Sequence, residues 1–474
     1  MKKRLVLIAG VCLAASCLPA HAQKAKGEDA LPFIAATPLP PEAAAAQADA
    51  ARALLKRVLP KDAAKFQMEV IPAEIETIEV PREKPRPTAP VAGTTAGTAA
   101  GTTVPVRPKP PVLLPPLTFD VPHDVFEIQT QNGVTVLRGN NGVALASALN
   151  YFLKYYGGSM LTWDGFDQIN LPTPLPPVTP KVHAASPHQL RLAYQTATFG
   201  YATAYWQWDK WEREIDFLAL SGINRALLPI GQEAVWMATW KQFGYSDDDI
   251  RKWLVAPGHA PWQTMGNMEN TGPALPQSVI DARLKLAQKI AARMRELGIE
   301  PVLPGYIGIV PPDFKKHSAD AVIVGQGQWV PGVKRPDVLD QSTPLYTDIA
   351  AKYYAAQKEL LGTSSAYAAD PFNDKGKKGD INDGDAGKAI YAAIDAASPG
   401  ALWVLMGTLD QPAGGLTFGV PKNKTLILDL AADRTELWKD RKGFDKVPWL
   451  WCAYGPRCRS HARRDTCGRP SLPL

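Results

Sequence analysis

Residues 191–254 read RLAYQTATFG YATAYWQWDK WEREIDFLAL SGINRALLPI GQEAVWMATW KQFGYSDDDI RKWL. An apolar run, Leu192–Phe199, precedes a helical pattern over Trp208–Ser221. A second run, Ile223–Leu228, precedes helical patterns over Glu233–Phe243 and Asp247–Leu254. Strands that alternate with helices read as βα units with a parallel sheet. Toward the C-terminus the pattern continues through a helix at Gln277–Leu297 and strands at Pro301–Tyr306 and Ala366–Ala369. A helix at Asp385–Ala397 and strands at Leu402–Leu405, Thr425–Leu430 and Trp449–Cys452 complete it. That gives seven strands, each followed by a helix or long loop, and no GxGxxG. The expected class is α/β, a (β/α)8-type TIM barrel rather than a dinucleotide-binding sheet, incomplete at its C-terminal end.

The chain before Arg191 has a different grain. Ala43–Leu59 is an Ala-rich helix with Leu54, Leu55 and Val58 on one stripe. Phe126–Gln129 and Val134–Leu137 alternate around Asn132-Gly133, a hairpin signal. A helix over Asn141–Tyr156 ends at Gly157-Gly158. These imply a small α+β domain in two parts, residues 23–80 and 118–180. Between them lies an insert, 81–117, with ten prolines in Pro81–Pro116 and a Gly/Thr-rich centre. The barrel follows at 181–452.

Both ends stand apart. Lys2-Lys3-Arg4, the apolar run Leu5–Leu18 and Ala20-His21-Ala22 have the order of a secretory signal over residues 1–22. The expectation is an exported chain, periplasmic or secreted, starting near Gln23. Residues 453–474, AYGPRCRSHARRDTCGRPSLPL, show no apolar period and carry five arginines against one aspartate. They read as a basic tail or as the product of a shifted or truncated frame. The formal charge of +6 sits largely in these two ends. The body is near neutral, which gives no argument for nucleic acid or for a membrane after signal cleavage. Three of the five cysteines lie in the last 23 residues, and no pair has zinc-site spacing.

In a barrel the functional groups follow the strands at the C-terminal face. Here the strand ends hold aromatics, amides and carboxylates: Tyr201 and Tyr205 after the first, Gly231-Gln232-Glu233 after the second. Trp262 with Met265-Gly266-Asn267, Gln326 through Trp329, and Asp370-Pro371-Phe372-Asn373-Asp374 follow later. Aromatic faces stack on the C–H patches of a sugar while amides and carboxylates take its hydroxyls. The structural alternatives are plain: Trp208 and Trp211 suit core packing, Glu214 and Asp216 suit salt bridges, and Asp374 suits a helix cap.

Trp211–Asp216, Gly231–Trp236 and Met265-Gly266-Asn267 resemble the α-N-acetylglucosaminidase family of glycoside hydrolases, and Tyr151–Gly158 resembles the end of its N-terminal domain. The resemblance runs from about Ala43 to Cys452, the insert apart. It implies retaining hydrolysis of terminal α-linked N-acetylglucosamine from a glycan, by a general acid/base and a nucleophile roughly 5–5.5 Å apart, with no cofactor and no metal.

The resemblance places the acid/base at Asp374, where the family has Glu. The shorter side chain reaches roughly 1.5 Å less. It places the nucleophile beyond Trp449–Cys452, where the tail offers only Asp465 as an acid. Gln195, Ala197 and Thr408 stand where the family commonly has Asn, Cys and Trp. Tyr201, Gln232, Glu233, Trp262, Trp329, Asn373 and Trp451 keep its sugar-binding pattern. The expectation is a family member that lacks turnover; the rival readings are a non-catalytic carbohydrate-binding relative and a non-functional gene fragment.

Overall fold

The computed structural model describes residues 39–80, 117–163, 165, 167–408, 411–432 and 435–452. The signal, nearly all of the insert and the tail lie outside them. Helix α1 (Pro41–Val58) turns Ala48, Ala51, Leu54 and Leu55 inward. Strands β1 (Phe66–Val70) and β2 (Glu74–Val80) follow it, and β3 (Leu117–His123), β4 (Val125–Gln131) and β5 (Val134–Gly139) come after the insert. β2 and β3 pair antiparallel with Val80 opposite Leu117, so the insert leaves and rejoins at one point. β4 and β5 form the expected hairpin, and Asn132 (φ 50°) and Gly133 (φ 81°) take the left-handed geometry that their turn requires.

Helix α2 (Gly142–Tyr155) starts on Asn141, whose side chain accepts the Ala144 N–H. β1 joins β5 in parallel, and β6 (Val182–Ala185) joins β4, completing a four-stranded sheet in the order β1-β5-β4-β6. The N-terminal unit therefore takes in strand residues just past 180, the boundary expected from the Pro-rich stretch.

The barrel strands are β7 (Leu192–Ala193), β8 (Arg225–Leu227), β9 (Glu300–Pro304), β15 (Ala366–Ala368), β16 (Leu402–Gly407), β17 (Thr425–Asp429) and β18 (Trp449–Trp451). All seven are parallel in the order β18-β17-β16-β15-β9-β8-β7. They are the seven expected strands. β7 and β18 are the outer strands, unpaired with each other among the described residues. β7 is much shorter than Leu192–Phe199, because Tyr194 turns left-handed (φ 72°) and the chain enters α3 (Thr198–Tyr201).

Around the sheet lie α4 (Trp208–Leu220), α5 (Gln232–Lys241), α6 (Asp247–Trp253), α7 (Ala260–Thr264) and α8 (Gln277–Glu296). Between β9 and β15 the chain makes an excursion: β10 (Ile309–Val310), β11 (Ile323–Val324), the hairpin β12 (Gln328–Val330) and β13 (Val333–Lys334), β14 (Asp337–Leu339) and helix α9 (Pro344–Leu361). Sequence pattern missed α9, although Thr343 caps it and Tyr346, Ile349, Ala350, Tyr353 and Tyr354 make a buried stripe. Helix α10 (Asp383–Ala397) precedes β16. One continuous core joins α1 and α2 to the barrel helices. Arg57 and Asp216 reinforce that joint with bonds of 2.7 and 2.6 Å.

Candidate active site

The loop after β15 is built to present one carboxylate. Asp370, at its base, is buried and accepts the Met406 N–H of β16 at 2.6 Å. Burial pushes its carboxyl up to about 7, against the opposing pull of that hydrogen bond. Trp403 Nε1 donates to Ala369 O and Gln411 Nε2 to Phe372 O. The backbone then turns left-handed at Phe372 (φ 58°), Asp374 (φ 46°) and Lys375 (φ 64°). Each such residue with a Cβ costs about 1–2 kcal/mol, so the turn persists because its neighbours hold it.

Asp374 is exposed at the tip. Its Oδ2 accepts from Asn267 Nδ2 and from Trp329 Nε1, each at 3.2 Å. Oδ1 has no bond among the described residues. Asn373 lies beneath: its side-chain oxygen accepts the Asp374 N–H and its nitrogen donates to Asn267 Oδ1 at 3.1 Å. Asn267 thus works from the Met265-Gly266-Asn267 motif as the link between the two, a role that the sequence suggested only by position.

Aromatics extend from this carboxylate. The ring centres of Trp329 and Trp262 are 6.3 Å apart, and Tyr201 stands edge-on to Trp262 at 5.2 Å. Gly200 makes room, since a Cβ there would lie 2.1 Å from Trp262. Tyr201, Trp262, Trp329, Asn373 and Asp374 are therefore brought together.

The other candidates are placed elsewhere. The Gln232 amide is spent between α5 and α9, donating to Tyr353 Oη at 2.6 Å and accepting from Gln357 at 3.4 Å. Glu233 is buried in an ion pair with Arg283 (2.7 Å), which also bonds Ala204 O and so braces the Tyr201 segment. Its Oε2 is buried without a bond among the described residues. Gln195 is half-buried in the turn after β7. Trp451, at the far outer strand, is 61 % exposed and donates to Ala432 O. Glu214 accepts from Tyr194 Oη and from Trp163 Nε1 rather than forming the expected salt bridge, whereas Asp216 pairs with Arg57. Among the described residues no cluster of His, Cys, Asp and Glu is suited to hold a metal ion.

This arrangement can give or take a proton at Asp374 beside an apolar, aromatic wall. Residues 191–462 match the alpha-N-acetylglucosaminidase (NAGLU) tim-barrel domain and residues 117–177 match the N-terminal domain of the same family. The chain is 31 % identical over 330 residues to the human alpha-N-acetylglucosaminidase, covering 67 % of this chain and 44 % of that protein. A family 89 glycoside hydrolase from Clostridium perfringens, solved with 2-acetamido-1,2-dideoxynojirimycin and with PUGNAc, superposes with a TM-score of 0.72 at 28 % identity. The match covers 86 % of this chain and 42 % of that one. The same protein has been solved as a double Glu-to-Gln variant with its substrate GlcNAc-alpha-1,4-galactose. The chain spans less than half the length of these relatives. The barrel, its N-terminal unit and the long match together show that the chain belongs to the α-N-acetylglucosaminidase family.

Proposed function

We propose that this chain carries the acid/base side of an α-N-acetylglucosaminidase site, that it binds a terminal α-linked N-acetylglucosamine, and that residues 1–474 alone do not hydrolyse it. The observation that carries this reading is Asp374, exposed at a strand end, oriented by Asn267 and Trp329 and flanked by the Trp329–Trp262–Tyr201 wall. Its Oδ1, without a bond among the described residues, is the oxygen that would protonate a leaving glycosidic oxygen. Retention also needs a nucleophilic carboxylate roughly 5–5.5 Å from it. Among the described residues, three acids near this rim are committed: Asp370 to Met406, Glu233 to Arg283, and Glu269 to Trp253 and Lys334. Sugar binding with no turnover is what those commitments support.

The test is calorimetric titration of the purified chain with 2-acetamido-1,2-dideoxynojirimycin, the ligand of the bacterial relative. Saturable binding that Trp262→Ala weakens supports the reading. No binding by a folded chain refutes it. We further propose export, on the signal-like residues 1–22. Mass analysis of protein from the native cell should show a chain beginning at Gln23; an intact Met1 in the cytoplasm would refute it.

A further inference from the structure

We propose that Arg335 is the positioning residue of Asp374, a buried cationic bracket that fixes the tip of the β15 loop and so aims the carboxylate. The inference rests on the reading of Asp374 as acid/base and adds a residue that neither motif nor comparison singles out. Arg335 is 2 % exposed and lies where β13 leads into β14. Its Nη1 donates to Asn373 O at 2.9 Å and to Gly266 O at 3.4 Å, and its Nη2 donates to Asp374 O at 2.7 Å. One guanidinium therefore ties three segments: the Met265-Gly266-Asn267 turn, the acid/base turn, and the excursion whose hairpin carries Trp329. These are the segments that supply Asp374 and both donors to its Oδ2.

The chemistry suits arginine specifically. Consecutive carbonyls at 373 and 374 converge on one fork, and a planar fork with parallel N–H bonds matches that pair where a lysine ammonium reaches one. No carboxylate bonds this guanidinium among the described residues; its acceptors are backbone carbonyls. Burial lowers its proton affinity and the nearby Asp374 charge raises it. Pulling both carbonyls to one side commits the turn to its left-handed geometry and leaves the Asp374 side chain to the other. Close packing agrees: a Cβ on Gly376 would lie 2.4 Å from Gln326 Oε1 and 3.3 Å from Arg335 Nη1.

The test reads the Trp329–Asp374 bond directly, by the indole N–H resonances of the 15N-tryptophan-labelled full chain. Trp329→Phe assigns the line, and Asp374→Asn shows where it moves when the charged acceptor is lost. In Arg335→Met the Trp329 line should move as far as in Asp374→Asn, while the lines of buried Trp211, Trp240 and Trp403 stay. In Arg335→Lys it should move part of the way. Affinity for 2-acetamido-1,2-dideoxynojirimycin should fall about tenfold in Arg335→Met, the loss of one charged hydrogen-bonding group. If Arg335→Met does not fold, Arg335→Lys decides: a folded spectrum with an unmoved Trp329 line overturns the proposal, as does an unmoved line in Arg335→Met. A moved line with no ligand binding by the wild-type chain would keep the bracket and refute the functional reading, so the two failures are distinct.

Discussion

The barrel mouth has two unlike rims. On the side of the loops after β7, β8 and β15, Asp374 is held by Asn267 and Trp329, Asn373 by Asn267, and the backbone after Tyr201, at Ala204 O, by the Arg283–Glu233 pair, although the Tyr201 ring itself is 75 % exposed. On the β17–β18 side Trp451 is mostly exposed, bonded once to Ala432 O. The difference separates being on the right strand end from being aimed. Binding energy comes from groups whose rotamers are fixed before the ligand arrives, so the two rims should contribute unequally.

Asp370 joins the rims, linking β15 to β16, and its substitution should have the largest effect. The folded chain keeps a proton on Asp370 up to about pH 7, whereas an unfolded chain releases it near pH 3.9. Between those values the folded state binds more protons. Stability is therefore lost as pH rises through that window, by on the order of 4 kcal/mol. Asp370→Asn keeps an acceptor for Met406 N–H and removes the titration. Urea melts at pH 4 and pH 7 should show the variant gaining on the wild type as pH rises. Parallel profiles would mean that the two rims are not joined through a protonated carboxyl.

Next comes the packing of the aimed rim. Gly200→Ala puts a Cβ 2.1 Å from Trp262 and 2.7 Å from Gly258 O, so the indole must leave its place. Overpacking of this kind costs about 1–3 kcal/mol; here it should appear as a roughly tenfold or greater loss of iminosugar affinity by calorimetry. Unchanged affinity would show that the Trp262 position is not selected. The smallest effects sharpen the contrast itself. Trp262→Ala should weaken the same ligand about tenfold, the scale of one aromatic contact, while Trp451→Ala should change it by less than about twofold. Equal losses would erase the distinction between the rims.

How much of this was legible in sequence follows the range of the interactions. The seven strands were readable because apolar periodicity is local, and so were the Asn132-Gly133 hairpin and the helix over Asn141–Tyr156. Helix α9 was missed because its buried stripe is made of tyrosines, alanines and glutamine, a weak apolar signal, though the Thr343-Pro344 start was there to be read. Asp374, Asn373, Trp262 and Trp329 were found by their strand-end positions and by family resemblance. Gln232 shared that position and proved to face α9, since the residue just after a strand points either into the mouth or back into the helix layer, and sequence does not choose. Arg335 carried no signal: its partners are carbonyls 38 and 39 residues away in sequence, and backbone acceptors leave no residue pattern.

The central claim is that the chain holds a bound N-acetylglucosamine beside an aimed acid and does not cleave it. The direct measurement is release of aryl alcohol from an aryl α-N-acetylglucosaminide by the purified chain, with Asp374→Ala as the control. The account predicts release no faster than the control, from protein that binds the iminosugar. Release above the control would contradict it and place a working nucleophile within residues 1–474.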